Sequence, residues 1–145
     1  MKIREVMNGA VLSVTPGTPV AETRQLMQRE RIRHVLVMDG PKLAGIVTDR
    51  DIRLNLPSPA TTLSVWEMNA LLMKLTAGEI MTTSVITIGP DREVHEAAQL
   101  MIDHKIGALP VTDEGRVVGI VTETDLLRAL ILIRARTLLA GEARA

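Results

Sequence analysis

This chain is written twice, and no other feature constrains its fold as strongly. A shift of 74 residues lays positions 5–51 over 79–125 without an insertion, and 17 of those 47 positions are identical. The matches include Glu5/Glu79, Met7/Met81, Pro16/Pro90, Glu22/Glu96 and the triplets Gln25-Leu26-Met27 and Gln99-Leu100-Met101. They end on Gly45-Ile46-Val47-Thr48 with Asp51, and on Gly119-Ile120-Val121-Thr122 with Asp125. Two copies are too few for a solenoid, whose repeats bury their faces by stacking in series. A pseudo-symmetric pair, packed face to face, is the arrangement this pattern implies.

Both copies carry the same order of local signals. "VLSVTP" and "VITIGP" are short strand patterns that stop at Pro16 and Pro90. A helix follows, with Thr18 as N-cap and Pro19 at its first position in copy one, and Asp91 near the start in copy two. Two β-rich runs come next, "HVLVMD" with "LAGIVT" and "ALPVTD" with "VVGIVT", each joined by a tight turn. Thr48 and Thr122 then open a second helix. The fold class is therefore α+β: two tandem, pseudo-symmetric β-α-β-β-α repeats packed sheet to sheet. Repeat 1 spans 1–56, a connecting loop and helix 57–77, and repeat 2 with a long C-terminal helix 78–145. "NLPSPATT" reads as loop, and Ser64 with Glu67 forms a capping box for a helix whose apolar stripe is Val65, Met68, Leu72 and Leu75. The Leu- and Ile-rich end, from about 123 to 143, suggests packing against another chain or cover for the partner repeat.

Composition narrows the function. Seventeen basic residues balance 17 acidic ones, so nothing draws the chain as a whole to nucleic acid or an anionic membrane. It contains no cysteine, which excludes thiolate catalysis and cysteine-held zinc and fits a reducing compartment. The first residues lack a signal-peptide core, and "LLRALILI" is too short to span a bilayer. A cytoplasmic protein is expected. With no Phe or Tyr and only Trp66, a planar ligand would be held by aliphatic side chains and backbone.

The repeated "GIVTxxD" has two readings. Thr followed three residues later by Asp is close to a capping box, with the acid favoured in the first helical turn. Equally, a helix N-terminus with a hydroxyl is an anion site, and a nearby carboxylate can accept two hydrogen bonds from a ribose diol. Chemistry alone leaves both open.

With its "GIVTETDLL" endings, "HKIGALPV" and a gap-free repeat, the chain resembles a tandem pair of cystathionine β-synthase (CBS) domains, the Bateman module. The resemblance covers nearly the whole sequence. It implies two clefts between the repeats that hold adenosine-containing ligands such as AMP, ADP or ATP, as regulatory ligand rather than catalytic cofactor. It also implies ribose contacts from Asp51 and Asp125 and phosphate contacts from Thr48 and Thr122. For the base it points to Gly9 and Val11 with Arg33, His34 and Val35 in copy one. In copy two it points to Thr83 and Val85 with Gly107, Ala108, Leu109 and Pro110, an apolar wall with exposed backbone. Arg50 or Arg53 would meet a phosphate at site one, while site two has Glu123 and no adjacent cation.

The expected function is a non-catalytic regulatory module that signals by conformational change, as a homodimer, to an unidentified target protein. The alternatives are a ligand-independent dimerisation module, or a sensor of S-adenosylmethionine or NAD(H). His34, His95 and His104 show no metal spacing. "MQRERIRH" reads as a solvated helix end, and no P-loop or activated nucleophile is present.

Overall fold

β-Branched side chains crowd the four segments that pair as hairpins, because their stiff χ1 suits a pleated, half-buried surface. The computed structural model describes residues 1–57 and 62–145. It divides into two compact units, Leu12–Val85 and Met1–Val11 with Ile86–Ala145. The first unit runs β1 (Ser13–Val14), α1 (Val20–Glu30), β2 (His34–Asp39), β3 (Lys42–Thr48), α2 (Asp49–Leu54), α3 (Val65–Lys74) and α4 (Ala77–Ile80). The second holds a 3-10 turn (Ile3–Glu5), α5 (Val94–His104), β4 (Ala108–Asp113), β5 (Arg116–Thr122) and α6 (Glu123–Glu142). The chain is thus mixed helix and sheet in two tandem repeats. The proline loop expected at 55–62 includes Ser58–Thr61, which lie outside the described residues.

The hairpins agree residue for residue. In the first, His34 faces Thr48 and Asp39 faces Lys42, with the register shifting after Val37. In the second, Ala108 faces Thr122 and Asp113 faces Arg116, with the shift after Val111. Only the turns differ. Gly40 (φ 58°) precedes Pro41, whereas Glu114 (φ 49°) and Gly115 (φ 78°) are both left-handed. Pro41 cannot take positive φ, so the first turn has one left-handed residue, a glycine, and the second has two, of which only Glu114 bears a Cβ penalty.

Three local expectations are corrected. The first strand of copy two shrinks to one parallel bridge, Ile88 to Val111, while β1 pairs parallel to β2. Thr18 does not cap α1: its hydroxyl accepts the Thr15 N–H, and extended Pro19 is the N-cap. The Val20 N–H is instead taken by the Leu75 carbonyl at 2.8 Å. In α3 the Ser64/Glu67 box forms and Leu72 is buried, but Val65 is 71% exposed.

The opening segments of the two repeats are exchanged. Residues 1–11 pack with the second copy, and 75–85 with the first. Thr82 bridges Ile46 on the free edge of β3, and Asn8 bridges Ile120 on the free edge of β5. Pro19 bridges Thr76 and Lys2 bridges Glu93, again one relation written twice. Each edge strand thereby gains partners for backbone groups that would otherwise be open.

Each unit has its own core. Val35, Val37 and Val47 are fully buried in the first, with Val20, Ile52 and Leu72 around them. Ile3, Leu109, Val111 and Val121 are fully buried in the second. Each such side chain contributes about 1.5–3 kcal/mol by leaving water. Helix α6 is different: Leu127, Leu130, Ile131 and Leu139 are all more than 60% exposed, and Ala129 is its one buried residue. Among the described residues no helix is long and apolar enough to cross a membrane.

Candidate functional site

The last residue of β3 is Thr48 and the last of β5 is Thr122. At each, the backbone is still extended while the next residue is helical, which is the geometry of an N-cap. In the first unit the Thr48 N–H donates to Asp51 Oδ2 at 2.9 Å, and the Asp51 N–H donates to Thr48 Oγ1 at 3.1 Å. In the second, the Thr122 N–H and hydroxyl both donate to Asp125 Oδ2, at 2.8 and 3.0 Å, and the Asp125 N–H donates to Thr122 Oγ1 at 3.4 Å. Capping is therefore real in both copies. It engages one oxygen of each carboxylate, and a carboxylate has two, with about four lone-pair sites.

The second oxygens differ. Among the described residues nothing donates to Oδ1 of Asp51, whereas Oδ1 of Asp125 lies 3.7 Å from Arg128 Nη1. Site two was expected to lack an adjacent cation, and Arg128 corrects that. The three-residue spacing on a helix was the signal for it. At site one Arg53 pairs with Asp49 at 3.7 Å, while Arg50 is exposed with no partner among the described residues.

The glycine of each motif has a structural reason. A Cβ on Gly45 would lie 2.8 Å from the Thr82 carbonyl oxygen and 2.6 Å from Met81 Sδ. On Gly119 it would meet Met7 Sδ at 2.7 Å and the Asn8 oxygen at 3.0 Å. What approaches these strands closely is the exchanged segment of the other repeat. No single-sequence signal marks Asn8 and Thr82 for this role, because either opening segment would fit either edge.

That exchange regroups the expected base contacts. Gly9 and Val11 fall in the unit that carries Thr122 and Asp125, and Thr83 and Val85 in the unit that carries Thr48 and Asp51. Gly9 and Thr83 are exposed, and Val11, Val85, His34 and Gly107 are half-buried. Val35 and Leu109 are fully buried, with Ala108 and Pro110 also inside. The expected wall of open backbone at 107–110 is corrected as well: the Gly107 carbonyl accepts from the Glu123 N–H and the Pro110 carbonyl from the Ile88 N–H. Strand pairing and helix capping claim these groups first. The Arg33 carbonyl is held in the same way by the Asp49 N–H. Among the described residues no group of three His, Asp or Glu side chains gathers to hold a metal ion.

The CBS domain family model matches residues 3–58 and again 77–132. The chain belongs to the CBS domain family. It is 38% identical over 117 residues to inosine-5'-monophosphate dehydrogenase of Korarchaeum cryptofilum, a match covering 80% of this chain and 21% of that enzyme. The chain thus spans about a fifth of that relative's length. Among solved CBS structures, CBSX2 in complex with AMP superposes with a TM-score of 0.76 at 26% identity, covering 91% of this chain and 97% of that one. The CBS domain pair of protein MJ0100, in complex with 5-methylthioadenosine and S-adenosyl-L-methionine, superposes at 0.73 with 29% identity, covering 90% and 95%.

Proposed function

We propose that this CBS pair is a non-catalytic regulatory module that binds adenosine-containing ligands at its two Thr–Asp boxes, Thr48/Asp51 and Thr122/Asp125. The observation that carries the reading is the division of labour within Asp51. Oδ2 is fixed by the cap, and Oδ1 is left to accept hydrogen bonds. A carboxylate already held by its own helix loses little rotamer freedom on meeting a ribose diol, which favours binding. AMP, 5-methylthioadenosine and S-adenosyl-L-methionine in the two liganded relatives share only the adenosine part, which suits a site that reads ribose and base. Exposed Arg50 would meet a phosphate at site one, and half-buried His34, Val85 and exposed Thr83 would flank the base. Gly9, Val11 and Gly107 would do so at site two. Occupancy would favour one conformation over another, which requires the ligand to bind the two unequally.

Thermal unfolding tests this with AMP, ADP, ATP, S-adenosylmethionine, 5-methylthioadenosine and NADH. At a hundred times its dissociation constant a ligand should add about 2.7 kcal/mol of stability. Asp51→Ala should remove the shift from site one and Asp125→Ala that from site two. No shift from any of the six at millimolar concentration would sink the proposal.

One observation favours a second reading, assembly without ligand. Aliphatic side chains of α6, Leu130, Ile131 and Leu139 among them, are exposed, and exposed apolar surface of this kind commonly marks contact surfaces. Sedimentation of the wild type and of Leu130→Glu/Leu139→Glu decides it. A wild-type homodimer that the variant converts to monomer, with no ligand effect on stability, would replace the sensing proposal.

A further inference from the structure

A groove between α1 and α2 of the first unit has a volume of about 380 Å³ and is lined by Arg24, Arg31, Arg33 and Arg53, with Asp49 its one acid. Its apolar floor includes Met27 and Ile52, both at most 5% exposed. Asp49 is paired with Arg53, and among the described residues Arg24, Arg31 and Arg33 have no acidic partner. The groove therefore presents three uncompensated guanidinium groups in a chain whose formal net charge is zero.

The repeat supplies an internal control. A groove of about 560 Å³ between α5 and α6 is lined by Ala98, Lys105, Glu123 and Leu127 at the positions that correspond, 74 residues on, to Arg24, Arg31, Asp49 and Arg53. Gly107 stands where Arg33 does. The concavity thus belongs to the fold, whereas the excess of positive charge belongs to the first unit alone, since in the second Lys105 is matched by Glu123. Packing does not require arginine there, since alanine, glycine and leucine serve in the second copy. Arg31 holds a left-handed backbone at the helix C-cap, φ 53° and ψ 45°, and Lys105 holds the same one in the second copy, φ 54° and ψ 47°, so that conformation, which favours glycine, belongs to the fold.

We infer that this groove is a binding site for a compact, multivalent phosphate, distinct from the Thr–Asp box and additional to the proposed adenosine reading. Guanidinium groups match phosphate oxygens in a bidentate way, and three around one concavity suit a linked chain of phosphates better than a single one. Its volume falls at the lower end of the usual range for ligand sites, about 300–1,000 Å³. "MQRERIRH", read from sequence as a solvated helix end, contributes Arg31 and Arg33 to this site. A free oligophosphate and a nucleotide's phosphate tail share this chemistry.

Titration calorimetry of the full chain with inorganic tripolyphosphate at low ionic strength tests the inference. The wild type should bind one equivalent, and Arg24→Gln/Arg31→Gln should weaken binding at least tenfold. Arg134→Gln/Arg144→Gln, an equal loss of charge on and just beyond α6, should leave it unchanged, and citrate should bind at least tenfold more weakly. Arg31→Gly guards against misfolding, because it should raise the melting temperature while lowering affinity. Absence of saturable binding would overturn the site. So would equal loss in the two double variants, equal binding of citrate, or unchanged affinity in Arg31→Gly. Asp51→Ala/Asp125→Ala should keep tripolyphosphate binding, so failure of the adenosine reading and failure of this one are separable. In that variant, ATP binding no more tightly than tripolyphosphate would assign the ligand as a free oligophosphate, and tighter binding as a nucleotide's tail.

Discussion

The two units share a hairpin register and a capping box, yet the notch under each glycine is not equally tight. At Gly45 an added Cβ would press the Thr82 carbonyl at 2.8 Å, and at Gly119 the Asn8 carbonyl at 3.0 Å. Backbone cannot swing aside as a methionine tip can, so the first unit has less room to relax. The difference shows that an internal repeat duplicates a plan while leaving its tolerances free. Substituting both glycines probes this at the largest scale. Overpacking typically costs 1–3 kcal/mol, and we expect Gly45→Ala to lose about 3 kcal/mol and Gly119→Ala about 1–2 kcal/mol in urea unfolding. Equal losses would mean that the exchanged segments yield alike.

The boxes themselves come next in size. Removing the carboxylate half of either box by Asp51→Ala or Asp125→Ala should cost about 1 kcal/mol without ligand, measured by the same unfolding curves. What separates the copies is Arg128, 73% exposed and 3.7 Å from Asp125 Oδ1. An ion pair so exposed is worth little, about 0–1 kcal/mol, but it occupies the oxygen that Asp51 leaves open. Arg128→Gln should therefore barely move intrinsic stability and should enlarge the ligand-induced shift that Asp125→Ala abolishes. A shrinking shift would make Arg128 a ligand contact instead.

The turns sharpen the contrast further. Glu114 carries a left-handed φ of 49° where the first hairpin has Gly40 at 58°. Holding a side chain in that conformation costs about 1–2 kcal/mol, and glycine's greater chain entropy offsets about 0.5–1 kcal/mol of the relief. Glu114→Gly should thus gain roughly 0.5 kcal/mol in unfolding free energy, and Gly40→Ala should lose about as much. Loss in both would show that Glu114 contributes something its glycine counterpart does not need.

What the sequence made legible was local and what it hid was long-range. Thr48 with Asp51, Thr122 with Asp125 and Ser64 with Glu67 could be read because a capping box spans only four residues. The hairpins could be read because alternation of Val and Ile with turn residues is equally local. The exchange of opening segments could not, since Met7-Asn8 and Met81-Thr82 present nearly the same edge to either copy. Thr18 was misassigned because a proline at the helix start fits either cap position. Ala108 to Pro110 were read as an open wall because burial depends on what packs above them, which no spacing records. Arg128 was within reach of the i,i+3 rule, and "ETDLLR" carried it in plain view.

The smallest contrast concerns acid. At the start of α5 stands Glu93, where α1 has Pro19, so in the second unit the exchanged segment is anchored there by charge, and among the described residues the first unit has no counterpart. Glu93 takes Lys2 Nζ at 2.8 Å and the chain's first amine at 3.0 Å. These hydrogen bonds, that of Lys2 first, lower its pKa from 4.5 to about 2. Glu5 and Glu96 are lowered too, chiefly by the backbone N–H groups of Lys2 and Glu93. A carboxylate whose folded pKa is depressed stabilises the fold fully above its unfolded value and loses that contribution as pH falls through the folded one. The second unit should therefore weaken between about pH 4.5 and pH 2, modestly, because the Glu93 side chain is 34% exposed and its pairs are screened by solvent. Urea unfolding of wild type and Glu93→Gln at pH 7, 4.5 and 3 checks this. The wild type should lose more stability than the variant over the last step, since glutamine has no proton to gain. Parallel losses would assign the acid response to groups common to both units, and the charge anchor would then be no distinction between them.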